Sequence, residues 1–222
     1  MSFYNQFFDL ITSNEFRESN NRESQVHQFF ERNPELIVTD NRYVSPGTVI
    51  SKLPVHNWVS DFAYINPTSG FHYLFLIEIE DPLKNIFNRN DEFSQEFNHA
   101  LQQVHDWLRS LRFGDEYLSR LYQDAHDQFN NNPDFRCDSP APLVGKGKLI
   151  YGFRAEFQDN PIRRERWQQK KEAESQHVDI FTYDGLFEKN RYLFQREDRN
   201  FGSPGCVRYR QRRFTIITDP VT

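Results

Sequence analysis

WVSDFAYINPTSGFHYLFLIEIE, residues 58–80, is the stretch that sets the fold. Apolar residues alternate from Trp58 to Ile65, Asn66-Pro67-Thr68-Ser69-Gly70 punctuates the chain, and Tyr73 to Ile79 is nearly all apolar. The pattern predicts a β-hairpin. Its second arm, Tyr73-Leu74-Phe75-Leu76-Ile77, is too apolar to keep a wet face, so a central strand covered on both sides is expected. That strand runs into Glu78 and Glu80, with Asp81 next. Alternation puts Glu78 and Glu80 on one face, and the antiparallel return folds Asp61 back towards them, so three carboxylates are expected to converge. Unit charges about 4 Å apart repel by roughly 4 kcal/mol at the effective dielectric of a protein surface. Such a cluster takes up protons, binds cations or spreads apart. Mg2+ or Mn2+ answers the need, because these ions favour oxygen ligands and keep several waters beside one or two carboxylates, the arrangement that activates water against a phosphodiester. The plain alternative is a strand end whose acids point into water, and spacing alone leaves both readings open.

Composition narrows the class. At 222 residues the chain suits one α/β domain, and 16% aromatic residues, 22 of them Phe, supply a core despite a single Met. Cys137 and Cys206 lie far apart and fit no ligand spacing, which argues against a disulfide framework or zinc ribbon and points to a reducing cytosol, hence a cytoplasmic protein. The N-terminal MSFYNQFFDLITSNEF lacks a basic n-region and a long apolar run, and no window approaches a membrane span. The net charge of −5 opposes indiscriminate nucleic-acid binding, but the charge is unevenly spread. Arg163, Arg164, Arg166, Lys170 and Lys171 form one basic cluster and Arg208, Arg210, Arg212 and Arg213 another, each able to track a phosphate backbone. A solvated helix face and a charged edge strand explain the same clusters without a ligand.

Along the chain, residues 3–12 predict a short helix with Phe3, Phe7, Phe8 and Ile11 inward, followed by a polar loop to Asn21. Asn20 and Glu23 resemble a capping box for the next helix, which carries Glu23, His27 and Phe30 along one side and stops at Asn33-Pro34. Glu23 therefore has an ordinary task at the helix N-terminus and a sharper one, reaching the acidic cluster. Val44–Leu53 reads as a strand broken at its start by Pro46-Gly47. The longest helix is expected over about Asp91–Arg112, with Phe93, Phe97, Leu101 or Ala100, Val104, Trp107 or Leu108, and Leu111 as its seam and Gln103 at the seam's edge, aimed at the acids or simply buried. Glu116–Phe129 predicts a helix. Gly145-Lys146-Gly147-Lys148 reads as a turn into a buried strand at Leu149–Phe153. A basic helix at Pro161–Ser175, a strand at Val178–Thr182, a helix at Tyr183–Phe194 and an edge strand at Cys206–Ile217 complete the prediction. Division into a short N-terminal helix and linker (1–20), a main domain (21–197) and a basic C-terminal strand and tail (198–222) is expected.

This order of elements resembles the PD-(D/E)XK nuclease superfamily. FFERNPELI at 29–37, SDF at 60–62, LIEIEDP at 76–82, Ala100 with Gln103 and Trp107, and DIFTYDGLF at 179–187 narrow the resemblance to the nuclease domain of the Shedu family of bacterial anti-phage defence proteins. The resemblance covers roughly residues 20–195. It implies a restriction-endonuclease-like core, a central mixed β-sheet flanked by α-helices, and metal-dependent cleavage of DNA. By resemblance Asp61 and Glu78 are ligands of Mg2+ or Mn2+, Glu23 assists, and Gln103 serves site geometry or DNA contact. It further implies self-association as a tetramer. With little chain ahead of residue 20, a nuclease-only form with a trigger in the domain, in assembly or in a separate activator is expected. The family pattern places Lys two residues after the second acid, to orient the attacking water and offset negative charge. Here that position is Glu80, a replacement known in some restriction enzymes, where it acts on the water or adds a metal ligand. A third acid raises the demand for metal and favours two-metal use or a degenerate site. Lys84 is near in sequence, but Asp81-Pro82 intervenes and it is not counted in the site. Two functions therefore stand side by side: a DNA endonuclease, and a nuclease-fold DNA-binding or scaffold protein that does not cut.

Overall fold

The computed structural model describes residues 3–38, 44, 46–68, 70–111, 115–129, 141–194, 207–210 and 213–216. The expected hairpin is its centre: β2 (Trp58–Pro67) runs antiparallel to β3 (His72–Ile79), with Phe62 opposite Ile77 and Pro67 opposite His72. On its other edge β3 pairs in parallel with β4 (Leu143–Ile150), which pairs in parallel with β5 (Val178–Phe181). β1 (Ile50–Val55) lies antiparallel to β2 and is joined by β6 (Val207–Arg210) and β7 (Arg213–Ile216), so the mixed sheet is ordered β5-β4-β3-β2-β1-β6-β7. Period-two alternation divides β3 between two cores. Leu74 and Leu76 point into one, with residues of α4 (Gln95–Ser110) and α5 (Glu116–Phe129), together with Trp167 of α6 (Pro161–Glu174). Phe75, Ile77 and Ile79 point into the other, with α1 (Phe3–Thr12), α2 (Asn14–Glu18), α3 (Arg22–Arg32) and α7 (Tyr183–Phe194). A strand so placed needs no polar face, and each fully buried Leu, Ile or Phe adds about 1.5–3 kcal/mol.

Local chemistry explains where the helices begin. Ser94 Oγ accepts from the Phe97 amide at 3.1 Å, so α4 starts four residues later than its apolar seam suggests. Asn160 Oδ1 accepts from the amides of Ile162 and Arg163, and Pro161 opens α6 with its φ already set for a helix. Trp167 then fastens α6 to the core, its ring centroid 5.0 Å from that of Phe157 and 6.0 Å from that of Phe97.

Several expectations are corrected. Gly145 and Gly147 are no turn: both lie inside β4, because α4 crosses there at close range. A Cβ on Gly147 would sit 2.3 Å from Val104 Cγ1, and one on Gly145 would lie 3.2 Å from both Leu108 and Leu111. Lys148, next in β4, is fully buried, and its Nζ donates to Ile37 O at 2.9 Å and Tyr64 Oη at 3.1 Å amid the Tyr64, Phe75 and Phe181 rings. Hydrogen bonding and ring faces offset its desolvation. The 44–53 region is a 3-10 turn at Pro46–Thr48 and then β1, since Pro46-Gly47 cannot sustain a ladder. The 12–21 passage holds α2, capped by Ser13. Phe8 is 47% exposed and stacks on Tyr4, while Phe7 and Ile11 are buried and Phe3 packs against their cluster. The C-terminal basic segment is a hairpin of two strands, β6 and β7, instead of one long strand.

Candidate active site

Register alone lines up three charged residues across the sheet. Between the β1–β2 pairs Ser51–Phe62 and Leu53–Ser60, Lys52 falls opposite Asp61. One step beyond the Phe62–Ile77 pair, Asp61 falls beside Glu78, at the end of β3. These side chains and Glu80 form one wall of a cleft of about 440 Å3, and Asn21, Glu23, Ser24, His27, Gln28 and Glu31 of the α3 region form the other.

Asp61 is held from both sides. Its Oδ2 accepts from the Ile79 amide at 2.9 Å, which ties the start of β2 to the end of β3, and its Oδ1 receives the Lys52 ammonium. Lys52 takes this position with a positive φ of 53°, in the left-handed region that a lysine rarely adopts. Glu78 is only 8% exposed, and Gln103 of α4 donates Nε2–H to its Oε1 at 3.1 Å. Burial, reinforced by Asp61 and Glu80, pushes its carboxyl up to about 10. On the opposite wall His27 stacks on Phe62 with centroids 4.4 Å apart and sets Nε2 3.3 Å from the Asp61 carbonyl. Burial and the Lys52 charge lower the His27 pKa, so the neutral imidazole is favoured. Glu31 lies beyond it, accepting from the Ser51 hydroxyl at 2.5 Å.

The third acid behaves differently from the expectation of convergence. Glu80 Oε2 binds Lys84 Nζ at 2.5 Å, and the same ammonium reaches Glu23 Oε1 at 2.8 Å. Lys84 therefore belongs to the site, against the reading that Asp81-Pro82 keeps it away. The turn returns the chain: Lys84 N donates to Asp81 O at 3.0 Å and Leu83 N to Asp81 Oδ1 at 2.9 Å, while Arg22 Nε grips Asp81 Oδ2 at 2.6 Å. Burial opposes the Lys84 charge, but Glu23 and Glu80 outweigh it and raise its pKa. Burial also raises the Glu80 pKa, against the pull of Lys84. Glu23 accordingly forms no capping box; α3 starts at Arg22 behind Asn21, whose side chain makes no capping hydrogen bond.

The structure thus brings together Asp61, Glu78 and Gln103, and sets Glu80 with Glu23 beside them around Lys84. Among the described residues no three Asp, Glu, His or Cys side chains form a ready-made metal centre. The Asp61–Glu78 pair is nevertheless a fitting donor set for Mg2+ or Mn2+, which need one or two carboxylates and complete their shells with water. Glu78 is the telling member, since a buried acid facing other acids sheds its charge only to a proton or a cation.

The basic residues of α6 have mixed surroundings. Arg163 binds Asp91 Oδ1 at 2.5 Å and the carbonyls of Asn88 and Glu156, and lies over the Phe87 ring, so it fastens α6 to the 81–94 loop. Arg166 donates to Asp91 O at 2.5 Å. Lys170 pairs with Glu174 at 3.3 Å, and Lys171 lies over the Phe181 ring. Arg164 is exposed. Arg210 lies in β6, and Arg212 falls outside the described residues. Sequence reading missed Lys52, Lys84 and Glu31 as site residues. A lysine opposite Asp61 was available from the register of β1, whereas Lys84 is near in sequence and is set aside there because Asp81-Pro82 intervenes.

No described helix is long and apolar enough to cross a membrane. No curated protein matches the chain. Residues 20–187 match the family described as Shedu protein SduA, C-terminal, and that match includes the sheet from β1 to β5 and every residue of the cleft. The chain belongs to the Shedu SduA C-terminal family, the PD-(D/E)XK nuclease domain of an anti-phage defence system.

Proposed function

We propose that the protein is a divalent-metal-dependent endonuclease that hydrolyses DNA phosphodiesters in anti-phage defence. The observation that carries this reading is the pairing of Asp61 with a buried Glu78 at the end of the central strand, held by Gln103 and open to a cleft. Mg2+ or Mn2+ bound there supplies Lewis-acid charge at the phosphate and makes water a stronger acid. Asp61 and Glu78 would hold the ion, and Gln103 fixes the orientation of Glu78. Glu80 accepts a proton from the attacking water, and Glu23 shares its counter-ion, Lys84. The water oxygen bonds to phosphorus as one ester P–O bond breaks, and the departing oxygen takes a proton from solvent. His27 and Glu31 close the far wall.

Exposed Arg164 and the basic C-terminal residues Arg210 and Arg212 are assigned to the DNA backbone, with Lys170 and Lys171 alongside, while Arg163 and Arg166 serve mainly to anchor α6. Residues 21–197 form the catalytic unit in this reading, and copies of the chain assemble, as a tetramer, to present more than one cleft to a duplex.

Incubation with supercoiled DNA in Mg2+, Mn2+ or EDTA tests it. Metal-dependent nicking or cutting is expected from the wild type, with a loss of at least about 100-fold in Asp61→Ala and Glu78→Ala chains that remain folded. DNA binding without cutting in any metal would replace this reading with that of a non-cleaving DNA sensor or scaffold.

A further inference from the structure

Five acids line the cleft, Glu23, Glu31, Asp61, Glu78 and Glu80, and an approaching phosphodiester brings more negative charge. The fixed cations near them are placed unequally. Lys52 Nζ lies on Asp61, where an ion held by Asp61 and Glu78 would displace or repel it, and its side chain is 45% exposed and free to swing out. Lys84 is placed otherwise. Its ammonium joins Glu80 and Glu23, acids from the two facing walls, at 2.5 and 2.8 Å, and touches neither Asp61 nor Glu78.

The approach of Lys84 is built into the fold. The Asp81–Lys84 turn is closed by its own backbone and by the Asp81 carboxylate, and Arg22 of α3 clamps that carboxylate from the opposite wall. Beyond Lys84 the chain is pinned again, where the Ile86 and Phe87 amides donate to Glu156. With both ends of the segment fixed, little further backbone entropy is lost on holding the ammonium between two carboxylates.

We propose that Lys84 is a positioning residue that occupies the place of a second divalent cation: it neutralises the Glu23–Glu80 pair, so that the cleft works with one metal ion per chain, at Asp61 and Glu78. This rests on the metal-dependent reading above and deepens it, by assigning the extra acid at position 80 a protein-borne partner instead of a second ion. Coulomb attraction at these separations makes an ammonium an effective substitute only while it stays in contact, so its removal leaves two facing carboxylates that attract the next available cation.

The test is calorimetric titration of the full chain with Mn2+, alongside DNA cleavage. Wild type is expected to bind one Mn2+ per chain. Lys84→Met is expected to bind two, or one at least about fivefold more tightly, and to cut about 10- to 100-fold more slowly at a metal concentration that saturates wild type. Lys84→Arg, which restores the charge, is expected to recover the wild-type stoichiometry. A purely structural Lys84 would lower the melting temperature without changing Mn2+ stoichiometry or affinity, and that result would overturn the proposal, as would two ions in wild type. One ion bound without DNA cleavage would leave this inference standing and remove the nuclease reading; no ion bound by wild type would remove both.

Discussion

At the scale of single residues, the site is governed by one buried acid. The Glu78 carboxyl has a pKa near 4.5 in an unfolded chain and about 10 in the folded one, so the metal-free protein takes up a proton on folding at any pH between these values. A pKa raised in this way contributes stability below about 4.5 that is progressively lost as pH climbs towards 10. Glu78→Gln keeps an acceptor for Gln103 and removes the titration. In EDTA near neutral pH the variant should therefore melt higher than wild type, by about 2–4 °C for each kcal/mol recovered, with the two curves converging near pH 4.5. Thermal unfolding across that range checks it, and a variant no more stable at neutral pH would show that Glu78 is comfortably ionised. Asp61, Glu78 and Gln103 were legible in the sequence because strand alternation and helical spacing are local rules. Lys84 was not. Its placement depends on Asp81 being capped by Leu83 and clamped by Arg22, a contact across 59 residues that no periodicity encodes.

At the scale of elements, the site depends on how closely α4 lies on β4. Val104 occupies the space that a side chain at position 147 would need, and Gln103, its neighbour, is thereby held against Glu78. Gly147→Ala should push the helix away, destabilise the chain by about 1–3 kcal/mol in denaturant unfolding and weaken metal-dependent cleavage through the displaced Gln103. Unchanged stability would mean that the helix moves freely at that crossing. The same contact explains why β4 was shortened in the sequence reading. Glycines punctuate a chain locally, and only the helix packed over them reveals that Gly145 and Gly147 serve close approach. By contrast the hairpin, the α5 and α7 boundaries and the central position of β3 were readable, since each rests on a strong pattern within its own residues.

At the scale of the molecule, the two cores fix the sheet from both faces, and the cleft is where α3 and the end of β3 bring carboxylates together. On the proposed reading the acids are costly to the metal-free fold and useful to a metal-bound one, which would link ion binding to folding of the whole chain. The measurement that tests this most directly is thermal unfolding of wild type and Glu78→Gln as Mn2+ is titrated. An ion that binds only the folded chain adds about 2.7 kcal/mol at 100 times its Kd, equivalent to roughly 5–10 °C for a domain of this size. Wild type should show that rise and Glu78→Gln should show little or none. A wild-type protein whose melting temperature ignores Mn2+, or a variant that responds equally, would contradict a metal site at Asp61 and Glu78.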